Sequence, residues 1–203
     1  MSEPTYAEAS RTLLRERLFE AATELLRSQP WAAITMAEIA AGAGVSRQTL
    51  YNEFGSREEF VQAFLLREAD RLVDAVSEAV AAHRDDPRGA LKAAFTVFLT
   101  SAAEDPLIRT IASSDAGDGL LPLITTQGGP LLGQATERLA QVLGSGWPQL
   151  EPGDATLVSE VLVRLAISYA ALPGNSPAVV AGKVADLLGP YVATLLAQQS
   201  RAA

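Results

Sequence analysis

The 203-residue sequence contains no cysteine and only one histidine, His83. A chain without cysteine has no disulfide framework and no thiolate metal site. His83 stands near Asp85 and Asp86, but a metal site needs more ligands than this, so we interpret it as a helix-end residue. The sequence also lacks a Ser-His-Asp order and a phosphate-binding glycine loop. These absences argue against an enzyme, and we expect no cofactor and no metal.

Targeting and membrane signals are also missing. The first four residues contain no basic segment followed by an apolar core, which argues against a signal peptide. No apolar run approaches the ~20 residues that a membrane helix requires. Hydrophobic residues make up 48% and charged residues 20% of the chain, a composition typical of globular proteins. We therefore expect a soluble, cytoplasmic protein with no membrane partner.

The most informative segment runs from residue 34 to residue 54. Thr35 followed by Glu38 is a capping box, and the apolar residues after it recur at helical spacing. The run stops at Gly42-Ala43-Gly44, where glycine permits unusual backbone angles. Ser46 then caps a second helix, on which Leu50 and Phe54 share one side. The pattern predicts two short helices joined by a glycine turn.

The other side of the second helix carries residues suited to the DNA major groove. Arg47, Gln48 and Thr49 occupy its first turn, and this is the turn that reaches bases in helix-turn-helix proteins. Arg and Gln can form paired hydrogen bonds with base edges, and the Thr methyl can contact thymine. Tyr51 and Asn52, one turn later, are ordinary phosphate ligands. An ordinary helical hairpin with a solvated polar face is the alternative interpretation.

Residues 15–64 resemble the DNA-binding domain of the tetracycline-repressor (TetR) family of bacterial transcriptional regulators. The resemblance covers about a quarter of the chain and depends on matching order and spacing. The matching segments are residues 19–26, residues 34–40, Gly44-Val45-Ser46, Leu50-Tyr51, Phe54 and residues 56–60. Two residues depart mildly from the family pattern: Glu53 stands where His or Tyr is frequent, and Arg57 where Lys is common. The resemblance implies an all-α fold, with an N-terminal three-helix DNA-binding domain (1–60) and a C-terminal helical ligand-binding and dimerisation domain (61–203).

Net charge is the one observation that argues against DNA binding. The chain carries −8 overall, and its first 60 residues contain six arginines, no lysine and nine acids, so that six minus nine gives −3. Local surfaces matter more, because the Debye length is only ~8 Å at physiological salt. Arg47 and Arg57, together with helix N-termini at Thr35, Ser46 and Ser56, can form a local positive surface. The predicted DNA-binding residues are Thr35, Ser46, Arg47, Gln48, Thr49, Tyr51, Asn52 and Arg57.

The arginines of the first helix admit two interpretations. Arg11, Arg15 and Arg17 could form an arm beside the groove, or they could belong to a solvated helix face, which we favour. A later helix is predicted from Ser56 to about Ala82, much longer than a DNA-binding module needs. It would physically link the two domains.

Two helices near the C-terminus are apolar on more than one side, which requires that something bury them. The subunit core could bury about half of this surface, and we expect a two-fold partner to bury the remainder in a four-helix interface. A homodimer also suits DNA, because two recognition helices ~34–36 Å apart can read a palindrome. The predicted interface residues are Val158, Leu162, Leu165, Val184, Leu188, Tyr191 and Leu195.

The middle of the chain supplies apolar residues that suit a pocket with few polar anchors. A plain helical core is the alternative for any single one of them. The predicted ligand-binding residues are Phe95, Phe98, Leu99, Arg109, Leu123, Ile124, Gln127 and Tyr169. We therefore expect a ligand-responsive regulator, most simply a repressor, that binds a double-stranded DNA operator and is released by a small lipophilic effector. A regulator controlled by a protein partner or lacking an effector, and a helical lipid carrier, remain as alternatives.

Overall fold

The computed structural model describes residues 5–108, 129–172 and 174–199. Within these residues the chain forms α-helices, one 3-10 turn at Trp31–Ala33 and no strand, which confirms the all-α prediction. We number the helices in chain order. They are α1 (Tyr6–Leu26), α2 (Met36–Gly42), α3 (Arg47–Phe54), α4 (Arg57–Ala81), α5 (Pro87–Glu104), α6 (Gly129–Gly146), α7 (Pro152–Ala171) and α8 (Pro177–Gln199).

The first four helices begin at side-chain caps. Thr5 and Thr35 each accept a hydrogen bond from the amide of a glutamate three residues later, and that glutamate accepts from the threonine amide in return. Ser46 caps α3 through the Thr49 amide, and Ser56 caps α4 through the Glu59 amide. Each cap satisfies amides that have no partner inside the helix, so the predicted starts of α2, α3 and α4 are confirmed.

An aromatic cluster fills the core formed by α1, α2, α3 and the first turns of α4. Phe19, Phe54, Phe60 and Phe64 lie with ring centroids 4.9 to 6.1 Å apart for the pairs in contact. Phe60 and Phe64 are completely buried. Such rings bury large apolar areas and add specific edge and face contacts, so this core holds α3 in a fixed position against α1 and α4.

A second core is formed by the rest of α4 and by α5 to α8. In it α5 packs against α4 and α8, and α6 packs against α4 and α7. Its residues are mostly aliphatic or alanine, with Phe95 and Trp147 as the buried aromatic members. Because α4 contributes Phe60 to Leu65 to the first core and Val76 and Val80 to the second, it belongs to both.

Helix α8 is long and apolar. Its segment Pro177–Gln198 satisfies the length and hydropathy criterion for a membrane span, so the prediction that no apolar run approaches that length was wrong. The core helix of a globular protein satisfies the same criterion, and α8 buries Val180, Val184 and Val192 against its own chain. The helix continues through Pro190.

Candidate nucleic-acid interface and ligand cavity

The turn between α2 and α3 depends on a glycine. Gly44 has φ +72°, a backbone conformation that side-chain-bearing residues rarely adopt, and a Cβ there would meet no atom within 4 Å. The requirement for glycine is therefore one of backbone angle alone. At Gly42, a Cβ would lie 3.1 Å from the Cβ of Ala21, so α1 and α2 approach each other closely. Gly44 thus permits the turn from α2 into α3, whereas Gly42 permits the close packing of α1 on α2.

Helix α3 has one buried and one outward face. Leu50 and Phe54 are buried in the aromatic core, whereas Arg47, Gln48 and Asn52 are exposed. The face predicted to meet DNA is therefore free of contacts that would bury it within its own subunit.

Neighbouring side chains order this outward face. The Gln48 side-chain amide donates to Asn52 Oδ1 at 2.7 Å, and the Arg47 guanidinium lies 5.3 Å from the centre of the Tyr51 ring. The hydroxyls of Ser46 and Thr49 are 2.8 Å apart. Tyr51 and Thr49 are half-buried. The arrangement offers guanidinium, amide and hydroxyl groups along one helix, which are the groups that contact bases and phosphates.

Glu53, the acid within this predicted recognition helix, is neutralised from α1. The Arg11 Nε donates to its two carboxylate oxygens at 2.8 and 2.9 Å, and Arg15 Nη1 donates at 2.8 Å. Burial alone would raise the pKa of Glu53, but the hydrogen bonds and charges of Arg15 and Arg11 lower it below its ordinary value. Arg11 and Arg15 are thus neither an arm beside the groove nor a simply solvated face: they bind α1 to α3.

Arg57 requires a correction. Its guanidinium donates to the backbone oxygens of Ile34 at 2.6 Å and Trp31 at 2.9 Å, and lies 4.4 Å from the centre of the Trp31 ring. These contacts engage both arms of the guanidinium, so Arg57 joins the start of α4 to the segment before α2. Thr35 likewise uses its hydroxyl to cap α2 with Glu38. What Thr35 can offer DNA is the helix N-terminus.

A cavity of about 140 Å³ lies between α4, α5, α6 and α7. Phe95 and Phe98, predicted as ligand contacts, line it. Leu99 and Tyr169 do not; they line a neighbouring pocket of about 210 Å³ near the C-terminal ends of α5 and α7. Four further predicted contacts lie outside the described residues; these are Arg109, Leu123, Ile124 and Gln127.

Sequence reasoning missed the contribution of α4 to this cavity. Seven of its residues line the wall, because the helix turns one face to the cavity along most of its second half; they are Leu65, Glu68, Ala69, Leu72, Val73, Val76 and Val80. The apolar spacing of α4 is visible in the sequence, but it does not distinguish a cavity wall from a close-packed core.

Glu68 is the one ionisable residue among the described residues that line the cavity. Its side chain is 7% exposed and is hydrogen-bonded to Arg67, while Arg71 Nη1 lies 3.7 Å from it. Arg67 also donates to Glu16 Oε2 on α1 at 2.6 and 3.1 Å. Burial raises the pKa of Glu68, and the charge of Asp105 adds to this, while Arg67 and Arg71 act in the opposite direction. Arg67 thus connects Glu68, at the cavity wall, to Glu16 on α1 of the first domain.

The predicted dimer residues also need correction. Val158, Leu162, Val184 and Leu195 are buried within their own subunit, so a partner cannot contact them directly, and Leu162 lines the cavity. Leu165 and Leu188 are partly buried against the same core, and only Tyr191, at 46% exposure, lies open. The large apolar residues that α7 and α8 and the residue after α7 expose are instead Leu157, Val161, Leu172, Val179, Leu187 and Tyr191. Because both faces of these helices are apolar, the pattern did not show which residues stay exposed, and Tyr191 alone belongs to both sets.

Comparison with known proteins agrees with this architecture. Residues 18–64 match the family "Bacterial regulatory proteins, tetR family", and residues 86–190 match "Bacterial Tetracyclin repressor, C-terminal domain". The chain is 40% identical to the HTH-type transcriptional regulator AlkX of Mycobacterium tuberculosis, with 92% of this chain and 88% of that protein aligned.

Two solved structures are informative. One is the TetR family repressor AlkX from a Dietzia strain, described as implicated in biodegradation of n-alkanes. It is 35% identical, has a TM-score of 0.81, and the match covers 90% of this chain and 96% of that one. The other is FadR from Thermus thermophilus, a TetR family transcriptional repressor in complex with lauroyl-CoA. It is 26% identical, has a TM-score of 0.55, and the match covers 86% and 92%.

Proposed function

Because the chain belongs to the TetR family of DNA-binding transcriptional regulators, we propose that it is a repressor released from its operator by a lipophilic effector. In this proposal a cytoplasmic homodimer binds a palindromic operator through α3. The observation that carries it is the pairing of an exposed polar face on α3 with an apolar cavity beside α4.

The DNA contacts are assigned from the outward face of α3. Arg47 and Gln48 stand at its start and are exposed, so we propose that they read base edges. Ser46, Thr49, Tyr51 and Asn52 are proposed to bind phosphates, and the N-termini of α2 and α3 add positive potential. Neutralisation of Glu53 by Arg11 and Arg15 removes an acid that would otherwise repel the backbone of DNA.

The dimer is proposed to form on the exposed apolar residues of α7 and α8. Leu157 and Val161 lie four residues apart on α7, and Leu187 and Tyr191 lie four residues apart on α8, so each helix presents a stripe. Two copies of these stripes would form a four-helix contact. The same dimer would place two α3 helices on successive major grooves of one palindrome.

The effector is proposed to be lipophilic because leucine, valine, alanine and phenylalanine dominate the cavity wall. Two related repressors agree with this class: one is implicated in n-alkane biodegradation and the other was solved with lauroyl-CoA. A ligand can shift the DNA-binding equilibrium only by its different affinities for the two states. The cavity must therefore change shape when the DNA-binding domain moves.

Two sets of contacts supply this coupling. Leu65 and Leu107 line the cavity and also belong to the aromatic core of the first domain, so the two regions share a wall. The Arg67–Glu16 ion pair ties α4 to α1 at the same level. A ligand that displaces α4 from this wall would therefore move α1 and α3, and the spacing of the two recognition helices in the dimer would change.

A gel shift with the promoter beside the protein's own gene tests the DNA-binding part. Arg47→Ala should weaken operator binding by about 1–3 kcal/mol and relax specificity at one base position. Tyr51→Phe should weaken all sequences equally if its hydroxyl meets a phosphate, and a loss confined to one base would contradict that assignment. Glu78→Gln, on the exposed side of α4, serves as a control and should leave binding unchanged.

Two other functions remain as candidates. A regulator without a small effector, or one controlled by a protein partner, would bind the same operator but show no heat with any lipophile in calorimetry. A helical lipid carrier would bind lipophiles but not DNA. The ordered polar face of α3 argues against a carrier, because lipid binding in the cavity does not require that face.

A further inference from the structure

The cavity wall offers a ligand very few polar groups. Of its described residues only Glu68 and Trp147 carry a side-chain nitrogen or oxygen. The Trp147 Nε1 already donates to the backbone oxygen of Arg84 at 2.7 Å, so it is not available to a ligand. The described wall thus contains no side-chain donor that is free for a ligand, and one strong acceptor, the carboxylate of Glu68.

The ion pairs of Glu68 leave its carboxylate beside the cavity. Its two arginine partners, Arg67 and Arg71, both lie on α4 itself, and one of them is as far as 3.7 Å away. Arg67 also shares its guanidinium with Glu16. A buried carboxylate gains most from several hydrogen bonds, because each oxygen can accept two. Glu68 can therefore accept a further hydrogen bond from a group inside the cavity.

We propose that Glu68 binds the polar head of the effector, and that this head must donate a hydrogen bond, as the hydroxyl of a long-chain alcohol does. This inference rests on the proposed lipophilic effector and specifies its chemistry. A head that only accepts, such as an ether oxygen, would meet an acceptor with no donor between them. Leaving that pair unsatisfied in a buried site is costly. The apolar wall then contacts the alkyl chain, and Glu68 sets which end of the ligand lies against α4. Because about 140 Å³ holds only a benzene-sized group, a long chain must also widen the cavity.

The sharpest test compares two ligands whose oxygen carries either a hydrogen or a methyl group. Dodecan-1-ol and 1-methoxydodecane have the same alkyl chain and an oxygen at the same position. Their affinities for the full-length protein without DNA would be measured by calorimetry. The alcohol should bind about 10- to 100-fold more tightly, the factor expected for one hydrogen bond to a charged group.

Variants then assign the difference to Glu68. Glu68→Gln keeps an acceptor oxygen but loses the charge, so the preference for the alcohol should shrink while remaining above one. Glu68→Leu removes the acceptor, and the two ligands should then bind equally. Glu78→Gln, on the exposed side of the same helix, should retain the full preference. Circular dichroism of each variant shows whether it is folded, and Glu68→Gln preserves the test if the leucine variant is not.

The possible results separate this inference from the proposed function. Equal binding of alcohol and ether by the unmodified protein overturns the role of Glu68 and leaves a lipophilic effector standing. A preference that survives Glu68→Leu also overturns it. Failure of both ligands and of dodecane to bind at all contradicts the lipophilic effector itself, and the inference fails with it.

Discussion

Two glutamates with little exposed side-chain surface, one on α3 and one on α4, have opposite electrostatic environments. Glu53 and Glu68 have side chains that are 10% and 7% exposed. Glu53 accepts three hydrogen bonds from two arginines of another helix, and its pKa is lowered. The pKa of Glu68 is raised, because burial beside an apolar cavity outweighs the arginines of its own helix. The hydrogen bonds from two arginines thus stabilise the charge of Glu53, whereas deeper burial penalises the charge of Glu68.

The two hydrophobic cores also differ, in how completely they are packed. The first domain packs four phenylalanines in mutual contact and fixes α3 with an inter-helix ion pair. The second contains a cavity, and among its described residues the buried hydroxyls of Thr136 and Ser159 have no hydrogen-bond partner. A DNA-binding domain must hold its recognition helix in a fixed position, whereas a ligand-binding domain needs unfilled space in its core. The contrast supports the proposed division of roles.

The largest expected change in the free energy of unfolding comes from truncating a buried phenylalanine, and the two cores should respond differently to it. Phe60→Ala should destabilise the protein by about 3–5 kcal/mol, because it leaves a void in a close-packed cluster. Phe95→Ala, at the wall of an existing cavity, removes fewer contacts and should cost clearly less. Denaturant unfolding followed by circular dichroism measures both. Equal costs would show that the two cores are packed alike.

A smaller effect is expected at Glu53. Glu53→Gln should destabilise the protein by about 1–2 kcal/mol at neutral pH, since it weakens the hydrogen bonds from two arginines, one of them exposed. The pKa of Glu53 is lowered by folding, so its contribution is present above the unfolded pKa and is lost as pH falls through the folded one. The difference from the unmodified protein should vanish in acid. A difference independent of pH would contradict the ion-pair explanation.

The smallest effect, with the opposite sign, is expected at Glu68. Glu68→Gln should raise the melting temperature slightly at neutral pH, because the neutral amide avoids the burial of a charge. Since folding raises the pKa of Glu68, its favourable contribution is full below the unfolded pKa and is lost as pH rises through the folded one. The gain from the variant should therefore grow with pH in calorimetric scans. Destabilisation at neutral pH would mean that Arg67 outweighs burial.

The sequence was sufficient for the local features that depend on neighbouring residues. The capping boxes, the glycine turn and the outward position of Arg47 and Gln48 are all determined by residues a few positions apart. The family followed from the same segment. The sequence did not reveal the structural role of Arg57, because its partners, the backbone oxygens of Ile34 and Trp31, lie more than 20 residues away.

The second domain was less predictable for a physical reason. When a helix is apolar on both faces, periodicity identifies neither the face that packs inward nor the face that remains exposed. Val158 and Leu157 are adjacent apolar residues, but Val158 is buried and Leu157 is exposed, and this difference depends on how α7 packs. The place of Glu68 in the cavity wall likewise depends on where α5, α6 and α7 lie.

The most direct test measures the affinity of the protein for operator DNA by fluorescence anisotropy, with and without dodecan-1-ol. We predict tight binding to a palindromic promoter fragment and release when the alcohol is added, with Arg47→Ala binding weakly from the start. The proposed function would be contradicted if the protein did not bind DNA. It would also be contradicted if neither Arg47→Ala nor a lipophile bound in the cavity changed the affinity for DNA.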